Sequence, residues 1–382
     1  MLRILPVLVA ILVASFAEAA PIERIWLSHE EETPVSLIVS WEAEKASVGV
    51  IAYGDSPELG KEVRTEGTGT RHRLKLPFEP GEGRLHYRVG EGDQVSAVHS
   101  VKRYSSSEFR MVVVGDWGFA PGRDLSAISR DDPHLLLTAG DNVPSLHQAG
   151  LEGTKAFAAL IDAHPELFHS YPFLPILGNH DREITPRGPK PPDHPVYDVE
   201  ATAFREFFAL PGEEWKWRFE VPSFGIALVA LDLNHIQDFG TTWQTCHPWQ
   251  SGSDQFRWYE STMKDWSDRF VVTLMNEKRT ALEAAGRGLW LENLAKGDVL
   301  VTGFGYFAER SELPGGLPCF NTCLKGNGAV YPDPLSRFLA SEDNYLLFTF
   351  APADAPVVAT LKRLDGSVLD EVEIPRHREG PR

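Results

Sequence analysis

The chain has 382 residues and a formal net charge of −17 at pH 7, from 54 acidic and 37 basic side chains. Acidity of that size argues against the nucleic-acid backbone as a partner, since such binding rests on Lys and Arg neutralising phosphates. With only 3 cysteines no disulfide framework can staple the fold, so a hydrophobic core must carry it, in roughly two domains at about 150 residues each.

The first twenty residues, MLRILPVLVAILVASFAEAA, combine Arg3, an apolar run too short to span a bilayer, and a small-x-small site at Ala17-Glu18-Ala19. That is the pattern of an export signal, residues 1–19, with cleavage expected near Ala19 or Ala20. The rest is expected to be secreted or periplasmic with no membrane anchor, because no later stretch holds about 18 uninterrupted apolar residues.

Residues 22–104 read as short strands: ERIWLS, SLIVSWEA, SVGVIAYG, RHRLKLPF, LHYRVG and SAVHSVKRY, separated by the turn signals YGDSPELG, FEPGEG and GEGDQ. Alternation without a helical period predicts a small antiparallel β-sandwich with Trp41 in its core. From residue 109 to 375 the texture becomes α/β. The runs FRMVVVGDWG, HLLLTAGDN and FLPILGNHD each stop at a glycine followed by an acidic or amide residue, as buried strands of a sheet covered on both faces do. Residues just past the carboxyl ends of such strands gather around one crevice, so the loops bearing Asp116, Asp141 and Asn179 are expected to converge. LEGTKAFAALIDAHPELFHS, ATAFREFFALP and SDQFRWYESTMKDW have helical spacing. FGIALVALDLNH, RFVVTLMNEKR and DVLVTGFGYF add strands, and the tail is a hairpin turning at Asp365-Gly366. Among Cys246, Cys319 and Cys323 one bridge is expected, Cys319 to Cys323 being reachable only if their loop curls.

GDWG, GDN and GNHD, in that order at three strand ends, resemble the first three motifs of the calcineurin-like metallophosphoesterases. With the preceding strands, SLIVSW, VIAYGDSP, LHYRVG and GSDQFRWYES resemble purple acid phosphatases over nearly the whole mature chain. The resemblance implies a fibronectin type III-like β-sandwich followed by a two-sheet α/β metallophosphoesterase domain that hydrolyses phosphate esters with paired divalent ions. It further implies Asp141 as the bridging ligand, Asp116 on the first ion and Asn179 on the second. His180, with Asp181 behind it, is implied to protonate or orient the leaving group.

The later motifs depart. Where purple acid phosphatases carry three histidines, VVTLMNEKR places Asn276, and TGFGYFAER places Phe304 and Tyr306, with Glu309-Arg310 keeping register. Pro144 stands where their iron-binding tyrosine is expected. The surviving donors, Asp116, Asp141, Asn179, Asn276 and Tyr306, are oxygens, which suit one hard ion such as Mn, Mg or Ca better than a dinuclear Fe/Zn centre. Two replacements stay open. The insert at residues 231–252 offers His235, Asp238, Cys246 and His247 as new ligands, and its Trp243 and Trp249 either line a pocket or pack the loop down. Alternatively Lys278, Arg279 and Arg182 hold a phosphate without metal. The proline-rich residues 187–195 read as a stiff rim or lid. Function accordingly divides between an exported hydrolase of a small phosphate ester with a rebuilt or single-ion centre, and a non-catalytic descendant binding a phosphorylated ligand, a cation or a protein partner in the same crevice.

Overall fold

The computed structural model describes residues 22–376 apart from 23, 93, 106, 148, 149, 187, 286–288, 353 and 354, so the expected export signal lies outside the described residues. The first six strands form one antiparallel sheet. SLIVSWEA and SVGVIAYG are a single strand, Ser36–Gly54, and RHRLKLP is the end of a longer one, Lys61–Pro77. Register between these two slips twice, between Glu42 and Ser47 and between Val48 and Val50. Such irregularities bend and twist a strand. The partners change there as well: Ile25–Ser28 pairs with the first half and Arg84–Glu91 with the second. Trp41 is buried and stacks on His72 at 4.9 Å.

This sheet is fastened to the rest of the chain. Trp26 stacks on Phe207 at 4.4 Å, and the Tyr87 hydroxyl donates to His169 O at 2.8 Å. One buried apolar cluster runs through both parts, so their separation costs far more than a hinge motion would.

Residues beyond Tyr104 build two larger sheets. One runs in the order Phe173–Leu174, Leu135–Thr138, Phe109–Val114, Asn344–Phe350, Val357–Arg363, Val368–Ile374; its first three strands are parallel and the others antiparallel. The other runs Trp217–Val221, Ile226–Ala230, Phe270–Met275, Val299–Thr302, Leu317–Asn321, Ala308–Leu313, Ser336–Ala340, with a parallel centre from the second strand to the fifth. Uniform burial of FRMVVV, LLLT and FVVTLM, Arg110 apart, is what strands covered on both faces require. The strand expected in FLPILG is only two residues long, because Pro175 has no N–H to continue the ladder. Among the helices, Thr154–Ala163 buries Phe157, Leu160 and Ile161, and Asp254–Asp265 starts at Ser253, whose hydroxyl accepts from Phe256 N. Among the described residues no helix is long and apolar enough to cross a membrane.

The expected cysteine bridge does not form: Cys246, Cys319 and Cys323 are all free and buried. Cys319 is held inside the strand Leu317–Asn321, while the Cys323 thiol is directed to the Asp116 carboxylate.

Candidate functional site

The two large sheets meet at their carboxyl ends through bare backbone. A Cβ on Gly115 would lie 2.1 Å from Thr322 O and 2.9 Å from Gly303 Cα, and one on Gly303 would lie 2.7 Å from the Ala139 Cβ. Gly140, at φ +85°, would press a Cβ to 2.6 Å from that of Asn276, and Gly178 would press one to 2.1 Å from Asp141 Oδ1. Each motif glycine therefore makes room for the next motif. A crevice of about 410 Å³ opens over these ends, lined by Asp116, Asp141, Asn179, His180, Tyr197, His235, Asp238, Trp243, Thr245, Phe304, Gly305 and Tyr306. The three loops expected to converge thus do so.

Asp116 and Asp141 are buried and hydrogen-bonded to one another. Burial, then the Asp141 charge, pushes Asp116 well above the usual carboxylate range; burial, then the Asp181 charge, raises Asp141. Two carboxylates in one dry site cannot both ionise without a cation between them or a shared proton. Asp141 Oδ1 also accepts from His180 N at 3.2 Å. Asp116 Oδ2 accepts from Cys323 Sγ at 2.7 Å, a contact that sequence reasoning missed because it treated that thiol as a bridge partner. Backbone strain gathers here. Among the described residues, four of the eight non-glycine positions with positive φ are Asp116 (53°), Asp141 (55°), His235 (46°) and Tyr306 (63°), and all four line the crevice.

His180 is half-buried, its Nδ1 2.7 Å from Pro144 O. A carbonyl only accepts, so Nδ1 carries the proton and in the neutral ring Nε2 is the basic nitrogen. Phe119 meets the ring edge-on at 4.7 Å. Asp181, expected to act behind His180, is fully buried and held by both motif loops. Its Oδ1 accepts from Asn142 N (2.8 Å) and Val143 N (3.2 Å), and its Oδ2 from Gly178 N and Asn142 Nδ2 (both 2.8 Å). It ties the second motif loop to the third and positions Asp141 and Asn179, and it also feels the charge of His180.

Asn276 is fully buried, and its Nδ2 donates to Ala139 O (2.8 Å) and Gly303 O (2.6 Å). Those two acceptors fix the amide's orientation and leave Oδ1 buried without a hydrogen-bond partner. Phe304 and Tyr306 present rings where the resemblance implies imidazoles. Lys278 Nζ sits 4.7 Å from the Phe304 centroid and Lys325 Nζ 4.8 Å from that of Tyr306. Burial, then the Asp116 charge, pushes the Tyr306 phenol up to about 12, so it stays protonated at neutral pH.

The insert contributes only in part. His235 and Asp238 reach the crevice, 3.4 Å apart, on a turn held by Glu277, whose Oε2 accepts from Ile236 N at 2.8 Å. Trp243 lines the crevice, whereas Trp249 packs below, its carbonyl accepting from Trp290 Nε1. His247 is not a replacement ligand: it stacks on Trp215 at 3.7 Å and its Nδ1 lies 2.7 Å from Asp232 Oδ2. Cys246 is likewise buried in the apolar cluster below. The guanidinium groups are committed as well. Arg182 is fully buried against Asp232 at 2.5 Å, and Arg279 is bound by Glu283, Glu309 and Asp333. Of the three basic residues considered for an anion, Lys278 alone is exposed.

Among the described residues no group of three or more His, Cys, Asp or Glu side chains is placed to hold a metal ion. Of the oxygen donors, Asp116, Asp141 and Asn179 line the crevice and Asn276 is buried behind Gly140; carboxylate and amide oxygens are the donors a hard ion prefers.

No protein-family model and no curated protein matches the chain. Solved structures do. A purple acid phosphatase from yellow lupin (Lupinus luteus) seeds is similar at 16% identity with a TM-score of 0.69, over 92% of this chain and 74% of that one. PhoD is similar at 12% identity with a TM-score of 0.66, over 94% and 93%. The chain has the calcineurin-like metallophosphoesterase fold, in the form found in purple acid phosphatase and PhoD.

Proposed function

We propose that this protein is an exported phosphoesterase that acts on small phosphate esters with a single hard divalent ion, such as Mn, Mg or Ca, in place of a dinuclear centre. The observation that carries this is the clustering of strained backbone: half of the described non-glycine residues with positive φ line one crevice. Such residues cost about 1–3 kcal/mol each and persist where a function over-determines them. Asp116, Asp141, Asn179 and Asn276 Oδ1 would hold the ion, and the orphaned oxygen fits that assignment, since an unsatisfied buried polar atom otherwise costs about 1–3 kcal/mol. When bound, the ion would offset the charge of phosphoryl oxygens beside two carboxylates. His180 then supplies the proton chemistry: with Nδ1–H fixed on Pro144 O, Nε2 is protonated from solvent and, as a water oxygen bonds to phosphorus and the ester P–O bond breaks, delivers that proton to the departing alcohol oxygen. Asp181 keeps the second and third motif loops in register. Export rests on the residue pattern of the first twenty positions.

The test pairs metal content with turnover. Purified protein is dialysed against EDTA, reloaded with Mn, Mg, Ca or Zn, and assayed on 4-nitrophenyl phosphate and bis(4-nitrophenyl) phosphate. One equivalent of Mn, Mg or Ca should restore hydrolysis, and Asp141→Ala should abolish both binding and turnover. Activity that survives Asp141→Ala would overturn the proposal.

A further inference from the structure

A second cavity of about 430 Å³ adjoins the crevice and shares Phe304 and Gly305 with it. Phe304 thus stands as a partition at a position where the resemblance calls for a metal-binding imidazole. On the crevice side His235 meets its ring edge-on at 5.7 Å. Lys278, which lines the second cavity, holds its ammonium 4.7 Å from the ring centroid.

Three features of the second cavity say what it would take. Its walls are aromatic: besides Phe304 they include Phe307 and Tyr331. Tyr331 is 82% exposed, the most exposed large apolar side chain among the described residues, and an open ring over a concave surface is a stacking platform. The acidic groups in the wall, Glu309 and Asp333, share the single positive charge of Arg279, which Glu283 binds as well. That excess of negative charge disfavours a second phosphate there. Lys278, in contrast, is exposed, with its ammonium over the Phe304 ring and within electrostatic reach of Glu277, and it stands at the seam between the two spaces.

We infer that the second cavity is a leaving-group subsite for a planar aromatic group, a nucleobase or an aryl ring, whose phosphate lies in the crevice beside Asp116 and Asp141. Tyr331 stacks the ring and Phe304 closes its inner end. Lys278 accompanies the chain of atoms that joins ring to phosphate. This deepens the phosphate-ester reading and rests on it.

Binding of adenosine 5′-monophosphate, phenyl phosphate and glycerol 2-phosphate is measured by calorimetry with manganese-loaded protein at a temperature where turnover is negligible. The aromatic esters should bind at least tenfold more tightly than glycerol 2-phosphate. A preference for the nucleotide alone assigns a nucleobase, and a preference shared by phenyl phosphate assigns any aryl ring. Tyr331→Ala should cut the ratio of aromatic to glycerol affinity by about 5- to 150-fold, the range of one base–aromatic stack. Thr280→Trp, at an exposed residue of the cavity wall, should fill the cavity and cut the ratio similarly. If the three esters bind alike, or neither substitution moves the ratio, the subsite is refuted while the phosphate-ester reading stands. If none binds, both fall.

Discussion

Replacing Asp232 with alanine is expected to be one of the most damaging single changes in this chain. Its carboxylate is fully buried and accepts from Arg182 Nη2 (2.5 Å), His247 N (2.8 Å), His247 Nδ1 (2.7 Å) and Asn234 Nδ2 (3.0 Å). Arg182 is fully buried too, and its Nη1 donates to Gly178 O at 3.2 Å, next to Asn179. Truncation leaves that guanidinium without a counter-charge. Breaking a buried pair from one side costs about 3–5 kcal/mol, and each kcal/mol moves a melting midpoint by roughly 2–4 °C in domains of 150–250 residues. A fall on the order of 10 °C at pH 7 is expected by circular dichroism or calorimetry. The double variant Arg182→Met with Asp232→Leu removes both charges and should recover most of that loss.

The pH dependence has a definite sign. Burial alone would raise Asp232, but the Arg182 charge and the His247 hydrogen bonds outweigh it, and the group ends below its ordinary value. The folded state then holds this proton less tightly than the unfolded state. Its contribution is complete above the unfolded carboxylate pKa of about 3.9 and fades as pH falls below it. The gap between parent and Asp232→Ala should therefore be widest at neutral pH and narrow toward pH 3. An Asp232→Ala midpoint within about 2 °C of the parent at pH 7, or a double variant no better than the single, would refute the assigned role of the pair.

Asp116 and Asp141 act with the opposite sign: both are raised by burial and by neighbouring carboxylates, so in EDTA stability should drop as pH rises from 5 to 8. Excess manganese should remove most of that slope, adding about 2.7 kcal/mol at a concentration one hundred times its Kd, whereas Asp141→Asn should flatten the slope without metal; melting scans at the two pH values check both. Gly115→Ala forces a Cβ to 2.1 Å from Thr322 O and should destabilise by about 1–3 kcal/mol or more as the sheet ends part, read as a loss of midpoint together with weaker manganese binding. All three thiols are buried and free, and burial pushes each of them up. Native protein should therefore react negligibly with a thiol reagent and unfolded protein with three equivalents; rapid native labelling would contradict the packing around Cys323.

The parts of this molecule legible in its sequence are those with local signatures. Buried strands that end in Gly-Asp or Gly-Asn announce both a covered sheet and the loops at its carboxyl edge, and those loops do converge. What stayed hidden depends on partners distant in the chain. Nothing near Arg182 tells that Asp232 neutralises it fifty positions later, so it read as an anion site. Nothing near Cys323 tells that it donates to Asp116, 207 positions earlier. The strand Ala308–Leu313 has the unpromising sequence AERSEL and is strand only because Leu317–Asn321 and Ser336–Ala340 pair on either side of it.

The motif glycines and the strained residues bear differently on function. Gly115, Gly140 and Gly178 are demanded by packing, since any Cβ there collides with backbone or with a buried side chain. They would be retained by a protein that had lost every activity but kept its fold. Tyr306 is another matter. At φ +63° a bulky side chain occupies a region that suits glycine or asparagine, and its ring lies over the crevice in contact with Phe119 and Lys325. A glycine there would relieve the backbone at no evident loss of core, because the side chain is only half-buried. The phenol must then have a use at that spot, so Tyr306→Gly is expected to keep or raise the melting midpoint while weakening phosphate-ester binding. A Tyr306→Gly protein that is both less stable and undiminished in binding would show that the ring serves the fold alone.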